Sequence, residues 1–321
     1  MPPLIAQMPA GALAALQPTS PSPELSRRNA PWIGGCLVAL ATPFEHDRIA
    51  KTAFADFVAW QIDEGARGLV TGSAIGEAST LSLRERIKLV EIAVGTAAGR
   101  APVVAATGTN CTSATIELSR AAEDAGAAAL IVVAPYYNRP GQEGLFRHFR
   151  AIAEAVGVPV LIESDPGRAA VDIQPETMAQ LARLPNVVGI AEWNAEPFRP
   201  GAPPLPEHFV RLSCDDFAAA PFRMAARRGA LSIVANIAPR LTAELHRAAD
   251  AADWPRAAAL QRELLPLIDA LRLEDGPGPI KYALSLLRRG FAPHMRLPLV
   301  SIRHETASAI VAALMELSLP Q

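Results

Sequence analysis

Ala129-Leu130-Ile131-Val132-Val133-Ala134-Pro135-Tyr136-Tyr137-Asn138-Arg139-Pro140-Gly141-Gln142-Glu143-Gly144-Leu145-Phe146 reads in three pieces. The first is apolar, rich in Ile and Val, and stopped by Pro135, which predicts a fully buried strand feeding a loop. From Leu145 to Val156 apolar residues return at helical spacing, so the loop sits at a strand's C-terminal end and leads into a helix. Two adjacent tyrosines there bring two hydroxyls, and each needs a partner if buried. The pair is either a loop anchor or part of a ligand site.

Working outward, the same alternation recurs. Short apolar runs lie at Leu37 to Ala41, Gly68 to Thr71, Pro102 to Thr107, Ala128 to Ala134, Pro159 to Glu163, Val187 to Ala191, Phe209 to Cys214 and Ala230 to Val234. Helix-length segments follow them, with spacings such as Phe54, Phe57, Val58, Ile62 or Ile116, Leu118, Ala122, Ala125. Eight such units predict the α/β class and a (β/α)8 TIM barrel. An open doubly wound sheet is the alternative, but no nucleotide-binding glycine fingerprint follows the first strand.

Local signals mark several boundaries. Ser82 with Glu85 has capping-box spacing, Cys111-Thr112-Ser113 opens the next helix and Gly126 closes it. Between Asn194 and His208 stand Pro197, Pro200, Pro203, Pro204 and Pro206, a density no helix interior sustains, so the sixth barrel helix is expected to be missing or reduced to a turn. Beyond the eighth run, Leu241 to Ala251, Pro255 to Leu273, Pro279 to Arg289 and Ser301 to Leu317 carry helical spacing. The expected organisation is a disordered tail over 1–31, the barrel strands and helices over 32–235, and the last barrel helix with a C-terminal helical extension over 236–321.

The chain has 321 residues, half of them hydrophobic, and a net charge of −2. That length buries a sizeable core, and that charge offers no basic field to nucleic acid or to an anionic membrane. No secretion signal or transmembrane run is read, and the location expected is the cytoplasm. Cys36, Cys111 and Cys214 are odd in number and lack metal-ligand spacing, so all three are read as reduced packing residues, Cys214 being notable because it ends a strand. The partners expected are a small-molecule ligand and further copies of the chain, as a dimer or tetramer.

Pro135-Tyr136-Tyr137-Asn138 with Gln142-Glu143-Gly144-Leu145 and His148-Phe149 resembles the corresponding loop of the dihydrodipicolinate synthase and N-acetylneuraminate lyase family. Thr42-Pro43-Phe44, Gly108-Thr109-Asn110, Asp165-Pro166-Gly167-Arg168, Ser232 to Asn236, Pro279 to Leu284 and Arg296 to Leu299 extend the resemblance over nearly all of the chain except the tail. It implies a lyase fold in which a strand-six lysine attacks the keto carbon of pyruvate to form a Schiff base. It also implies that Tyr137 reaches into a neighbouring subunit's site.

The chain departs from that pattern at the chemistry. Ala191 stands where the resemblance puts the lysine, Ser73-Ala74-Ile75-Gly76-Glu77 replaces a Gly-Thr-Thr-Gly-Glu loop, and Glu163 replaces a proton-relay tyrosine. Alanine has no nucleophile. Among thirty Lys and Arg residues only Lys51, Lys88 and Lys281 are lysines, none of them at a predicted strand end, and arginine stays protonated and does not substitute.

Glu163 is read either as a general base, or ligand for a cationic group, or as a carboxylate paired to Arg168. The expected catalytic residues are Glu163 and Tyr137, and the expected substrate contacts are Arg168, Ser73, Ala74, Ile75 and Ala191. Glu192, Asp215 and Asp216 also fall near strand ends, but no histidine spacing accompanies them, and neither a metal nor a cofactor is expected. His148 is read as an exposed or capping helix residue. Three functions stay open: acid-base chemistry on a small organic acid or related metabolite, an inactive binding or regulatory subunit, and the family's lyase reaction by another route.

Overall fold

The computed structural model describes residues 30–193, 202–224 and 227–317. The expected tail therefore lies outside the described residues except at its last two positions, where Ala30 is buried.

Among the described residues eight parallel strands close into a barrel. They are β1 (Gly35–Ala39), β4 (Gly68–Thr71), β5 (Val103–Ala106), β6 (Ala129–Val133), β7 (Val160–Ser164), β8 (Val187–Glu192), β9 (Val210–Ser213) and β10 (Gly229–Ser232). The short hairpin β2 (Phe44–Glu45) and β3 (Arg48–Ile49) sits outside the barrel order. Each apolar run marked in the sequence overlaps one barrel strand. Closure joins β10 to β1, with Gly229 opposite Gly35. The two backbones run so close that a β-carbon at Gly229 would strike the backbone of Gly35, so this seam requires glycine.

The helices packed around the barrel are α1 (Lys51–Asp63), α2 (Leu83–Ala97), α3 (Thr112–Asp124), α4 (Gln142–Ala155), the single turn α5 (Pro166–Ala169), α6 (Pro175–Leu181), α7 (Ala219–Met224) and α8 (Pro239–Asp250). Ser82 and Glu85 form the expected capping box, with the Glu85 N–H donating to Ser82 Oγ at 3.3 Å and the Ser82 N–H donating to Glu85 Oε2 at 3.0 Å. Between β8 and β9, residues 202–209 contain no helix, in keeping with the proline density, and residues 194–201 lie outside the described residues. Then α9 (Trp254–Leu271), α10 (Gly278–Leu287) and α11 (His304–Glu316) form the extension.

His148 corrects one expectation. Leu145, His148, Phe149 and Ile152 share one face of α4, so the imidazole is buried, with Nδ1 2.9 Å from Thr112 Oγ1 at the start of α3. Burial pulls its pKa down to about 4. The cysteines split as well: Cys36 and Cys214 are buried, whereas Cys111 is exposed at the N-cap of α3 and is not a packing residue. There the Ser113 hydroxyl and backbone N–H groups pull its thiol pKa down.

Candidate active site at the barrel mouth

A cavity of about 1040 Å³ opens at the C-terminal ends of the strands. Ser73, Ala74 and Ile75 line it from the exit of β4, Glu163 and Arg168 from β7 and the turn after it, and Cys214 from the end of β9. Five of the seven residues expected at the site thus meet in one place. The other two do not line this cavity. Ala191 is fully buried behind it, and Tyr137 is 87% exposed.

Alternation along the strands decides which side chains face inward. Ile162 and Ile190 pack outward against Phe149 and Ile152 of α4, and Leu161 and Ala191 alternate with them on the other face. Glu163, two residues from Leu161, faces inward too, and it stands opposite Ala191 in the β7 to β8 register. Its carboxyl is buried, and burial is the main cause that pushes its pKa up to about 7. The Trp193 indole Nε1–H donates to Oε1 at 3.4 Å and lowers it, while Asp165 raises it.

Arg168 is the weakest of these influences on Glu163, and of the two readings of Glu163 the pair with Arg168 is not the one found, since Arg168 lies against Asp165. Asp165 caps the turn of α5, accepting the Arg168 backbone N–H at Oδ1 (3.1 Å), and its Oδ2 lies 3.3 Å from Arg168 Nε. That turn draws Arg168 back onto Asp165 and leaves its side chain 46% exposed. Deeper in the mouth, burial and the neighbouring Glu163, Asp165, Glu192 and Asp216 hold the Cys214 thiol well above the ordinary thiol range. It is the protonated, poorly nucleophilic form.

The opposite wall contains a residue that sequence reasoning missed. Arg86 of α2 lines the cavity, donating from Nη2 to the Ala106 carbonyl at the end of β5 at 2.6 Å. Gly72 sits beside it with φ +68°: a β-carbon there would meet Arg86 Nε only at 3.8 Å, an ordinary contact, so the left-handed backbone rather than space favours glycine. The available signal was an arginine directly after the capping-box glutamate, on the first turn of a helix that starts above a strand exit. Tyr136 lines the same cavity, and Tyr137 next to it adopts φ +70° and points away from its own barrel. Asn138 holds this loop by donating from Nδ2 to the Asn110 carbonyl at 2.6 Å.

The acids at neighbouring strand ends are engaged. Glu192 takes a two-pronged bond from Arg211 at 2.7 and 2.8 Å, Asp216 Oδ2 accepts the N–H groups of Ile233 and Val234 at 2.7 and 2.8 Å, and Asp215 Oδ1 accepts from Phe217 N–H at 3.0 Å. Among the described residues no set of three His, Cys, Asp or Glu side chains is placed to hold a metal ion. None of the lysines reaches the mouth: Lys51 opens α1 in solvent, Lys88 pairs with Glu91, and Lys281 is buried against Glu77.

Fold and cavity define the class as a (β/α)8 barrel with its candidate site at the C-terminal mouth and a helical extension beside it. The family model of the dihydrodipicolinate synthetase family matches residues 33–317, and the chain belongs to that family. A 4-hydroxy-tetrahydrodipicolinate synthase of Rhodospirillum centenum is 43% identical over 287 residues, covering 89% of this chain and 98% of that one. The crystal structure of dihydrodipicolinate synthase from Aquifex aeolicus superposes with a TM-score of 0.86 at 34% identity, covering 90% of this chain and 99% of that one. A chloride-inhibited dihydrodipicolinate synthase from Acinetobacter baumannii, described as complexed with pyruvate, gives 0.83 at 35% identity, covering 89% and 99%. Among the described residues no helix is long and apolar enough to cross a membrane.

Proposed function

We propose that the barrel mouth binds a small organic acid and performs proton transfer on it through Glu163, without a lysine Schiff base. The observation that carries this reading is Glu163 itself: an inward-facing carboxyl, held near half ionisation at neutral pH by burial, opposite an alanine where the resemblance puts the nucleophile. A group whose pKa lies near the operating pH can both take and return a proton. Tyr137 enters the reading only from a second copy of the chain, because on its own subunit it faces solvent.

The test uses pyruvate, the ligand named for the Acinetobacter relative. Incubation with pyruvate and borohydride is expected to leave the intact mass unchanged. In D2O, exchange of the pyruvate methyl protons followed by NMR is expected to be accelerated by the protein, and Glu163→Gln is expected to remove about 10² to 10⁴ of that acceleration. A borohydride-trapped adduct mapped to a lysine would overturn the loss of Schiff-base chemistry. Exchange that is absent, or equal in parent and variant, would overturn the role of Glu163.

The names of the relatives favour a second reading, retained synthase activity. It requires an electron sink that Ala191 does not supply, and acid-base help alone does not replace one. The trapping experiment separates the two readings.

A further inference from the structure

A second titratable side chain faces the space above Ala191. In the barrel order β8 lies between β7 and β9, and Ala191 pairs with Glu163 on one side and with Leu212 on the other. Cys214 stands two positions beyond Leu212, so it shares that residue's face one pleat nearer the mouth, and it lines the cavity together with Glu163. Its backbone N–H donates to the Glu192 carbonyl at 2.8 Å, which fixes it beside β8. Two strand spacings and one pleat put the Cα atoms of Glu163 and Cys214 about 10 to 12 Å apart. Ala191 contributes no more than a methyl group between them, so the carboxyl and the thiol reach toward one gap from its two sides.

The thiol is uncommitted. Neighbouring acids are held, Glu192 by Arg211 and Asp216 by the N–H groups of Ile233 and Val234. Cys214 is 1% exposed, yet among the described residues no group hydrogen-bonds its Sγ. Glu163 is one of the carboxylates that, with burial, keep this thiol protonated. The two groups are thereby coupled. When Glu163 takes up a proton its charge disappears, and the thiol becomes easier to ionise at that moment.

We infer that Cys214 is the second proton-transfer residue of the mouth: its Sγ–H donates to the carbonyl oxygen of a small α-keto acid while Glu163 withdraws a proton from the adjoining carbon. The inference rests on the proposed role of Glu163 and gives that role a reaction class, enolisation. The C–H bond breaks and its proton goes to Glu163. The electron pair left behind forms the carbon–carbon double bond, and the carbonyl π pair takes the proton of the breaking S–H bond. An enol, a neutral Glu163 and a Cys214 thiolate result, and nothing is oxidised or reduced. The reverse transfers, after Glu163 exchanges its proton with solvent, return the keto form labelled at carbon. Asp165, Asp215 and Asp216 line this mouth, so a bare enolate oxygen would meet like charge, and protonating it lowers the barrier.

Two measurements on the full-length protein with pyruvate test the inference. In D2O, Cys214→Ala is expected to slow methyl-proton exchange by about 10²-fold, as loss of a general acid does. Cys214→Ser is expected to fall between it and the parent, because a hydroxyl still donates but is harder to ionise. Cys111→Ala, at the exposed start of α3, is expected to match the parent. In H2O, the infrared S–H stretching band of Cys214, isolated as the difference between parent and Cys214→Ala, is expected to move to lower wavenumber on adding pyruvate, because the thiol gains an acceptor. A band that pyruvate does not move overturns the inference. So does exchange in Cys214→Ala within about twofold of the parent while Glu163→Gln loses it, a result that leaves the proposed function standing. Exchange absent from the parent overturns the proposed function and this inference together, so the two failures are distinguishable.

Discussion

Lys281 Nζ lies 2.5 Å from Glu77 Oε1, with both side chains fully buried although they stand 204 positions apart in the chain. Glu77 sits in the left-handed region at φ 59°, just after the exit of β4, and its Oε2 accepts the backbone N–H of Arg296 at 3.2 Å. The Lys281 ammonium also stands 4.3 Å from the centroid of the Phe44 ring. One buried ion pair thus ties α10 of the extension, the segment after it and the hairpin strand to the loop that carries Ser73, Ala74 and Ile75. Lys281 is a structural clasp, which is why it is unavailable to the mouth.

Breaking that clasp on one side leaves the other charge buried. Lys281→Met is expected to destabilise the fold by about 3 to 5 kcal/mol, measured by urea denaturation. Glu77→Gln is expected to fall in the same range, and the double variant well short of the sum, because each single change already contains the cost of stranding its partner. A loss below about 1 kcal/mol for Lys281→Met would show that the ammonium is not held in a dry site.

Glu163 gives stability a definite pH dependence. Its folded pKa, about 7, lies above the usual 4.5, so the folded chain binds more protons than the unfolded one between those values. Stability from this group is therefore full below about pH 4.5 and is lost as pH rises toward 7, by about 3 kcal/mol in all. Asp216, also raised by burial, acts with the same sign, so the comparison must be with Glu163→Gln rather than with a flat line. The variant is expected to match the parent near pH 4.5 and to exceed it in stability at pH 8. A parent that stays as stable as the variant at pH 8 would mean that the carboxylate is better solvated than its burial indicates.

The tyrosine loop bears on assembly. Tyr137 is 87% exposed in a left-handed conformation that side-chain-bearing residues rarely adopt, and Tyr136 beside it is 37% exposed. A second copy of the chain is expected to cover this loop and to hold that conformation. Light scattering is expected to give at least twice the 34.0 kDa of one chain at micromolar concentration, and Tyr137→Ala to shift the distribution toward the monomer. A parent mass of one chain would remove Tyr137 from any site.

The barrel was legible because parallel strands buried on both faces become runs of Val, Ile, Leu and Ala with punctuated ends, and those runs overlap every barrel strand. Helix α4 begins at Gln142, earlier than the Leu145 start expected, because its first turn is polar and carries no periodicity. The site was legible where it follows from strand order, as at Glu163, Ser73, Ala74 and Ile75. It was illegible where a turn or a distant helix decides. Glu163 and Arg168 are five residues apart, yet the α5 turn gives the arginine to Asp165. Arg86 and Lys281 reach their positions from helices, and no local pattern announces a contact across 204 residues.

A lysine placed at position 191 is not expected by itself to give Schiff-base chemistry. In the β7 to β8 register Glu163 stands opposite Ala191, so Ala191→Lys would place an ammonium beside a buried carboxyl. The two charges would stabilise one another, lowering the carboxyl pKa and raising that of the amine. A protonated amine is no nucleophile, so Ala191→Lys is expected to trap pyruvate only slowly under borohydride at neutral pH. Adding Glu163→Tyr removes the counter-charge and is expected to speed trapping by at least about tenfold, as read by intact mass. Neither variant is expected to show synthase turnover, because Ala74 and Ile75 still lack the hydroxyls that the resemblance assigns to that loop, and groups that act as a unit are not restored one at a time. Fast trapping by Ala191→Lys alone would show that Glu163 does not face the new side chain. Efficient turnover from that single change would show that the losses at Ala74, Ile75 and Glu163 matter far less to the chemistry than their positions at the mouth indicate.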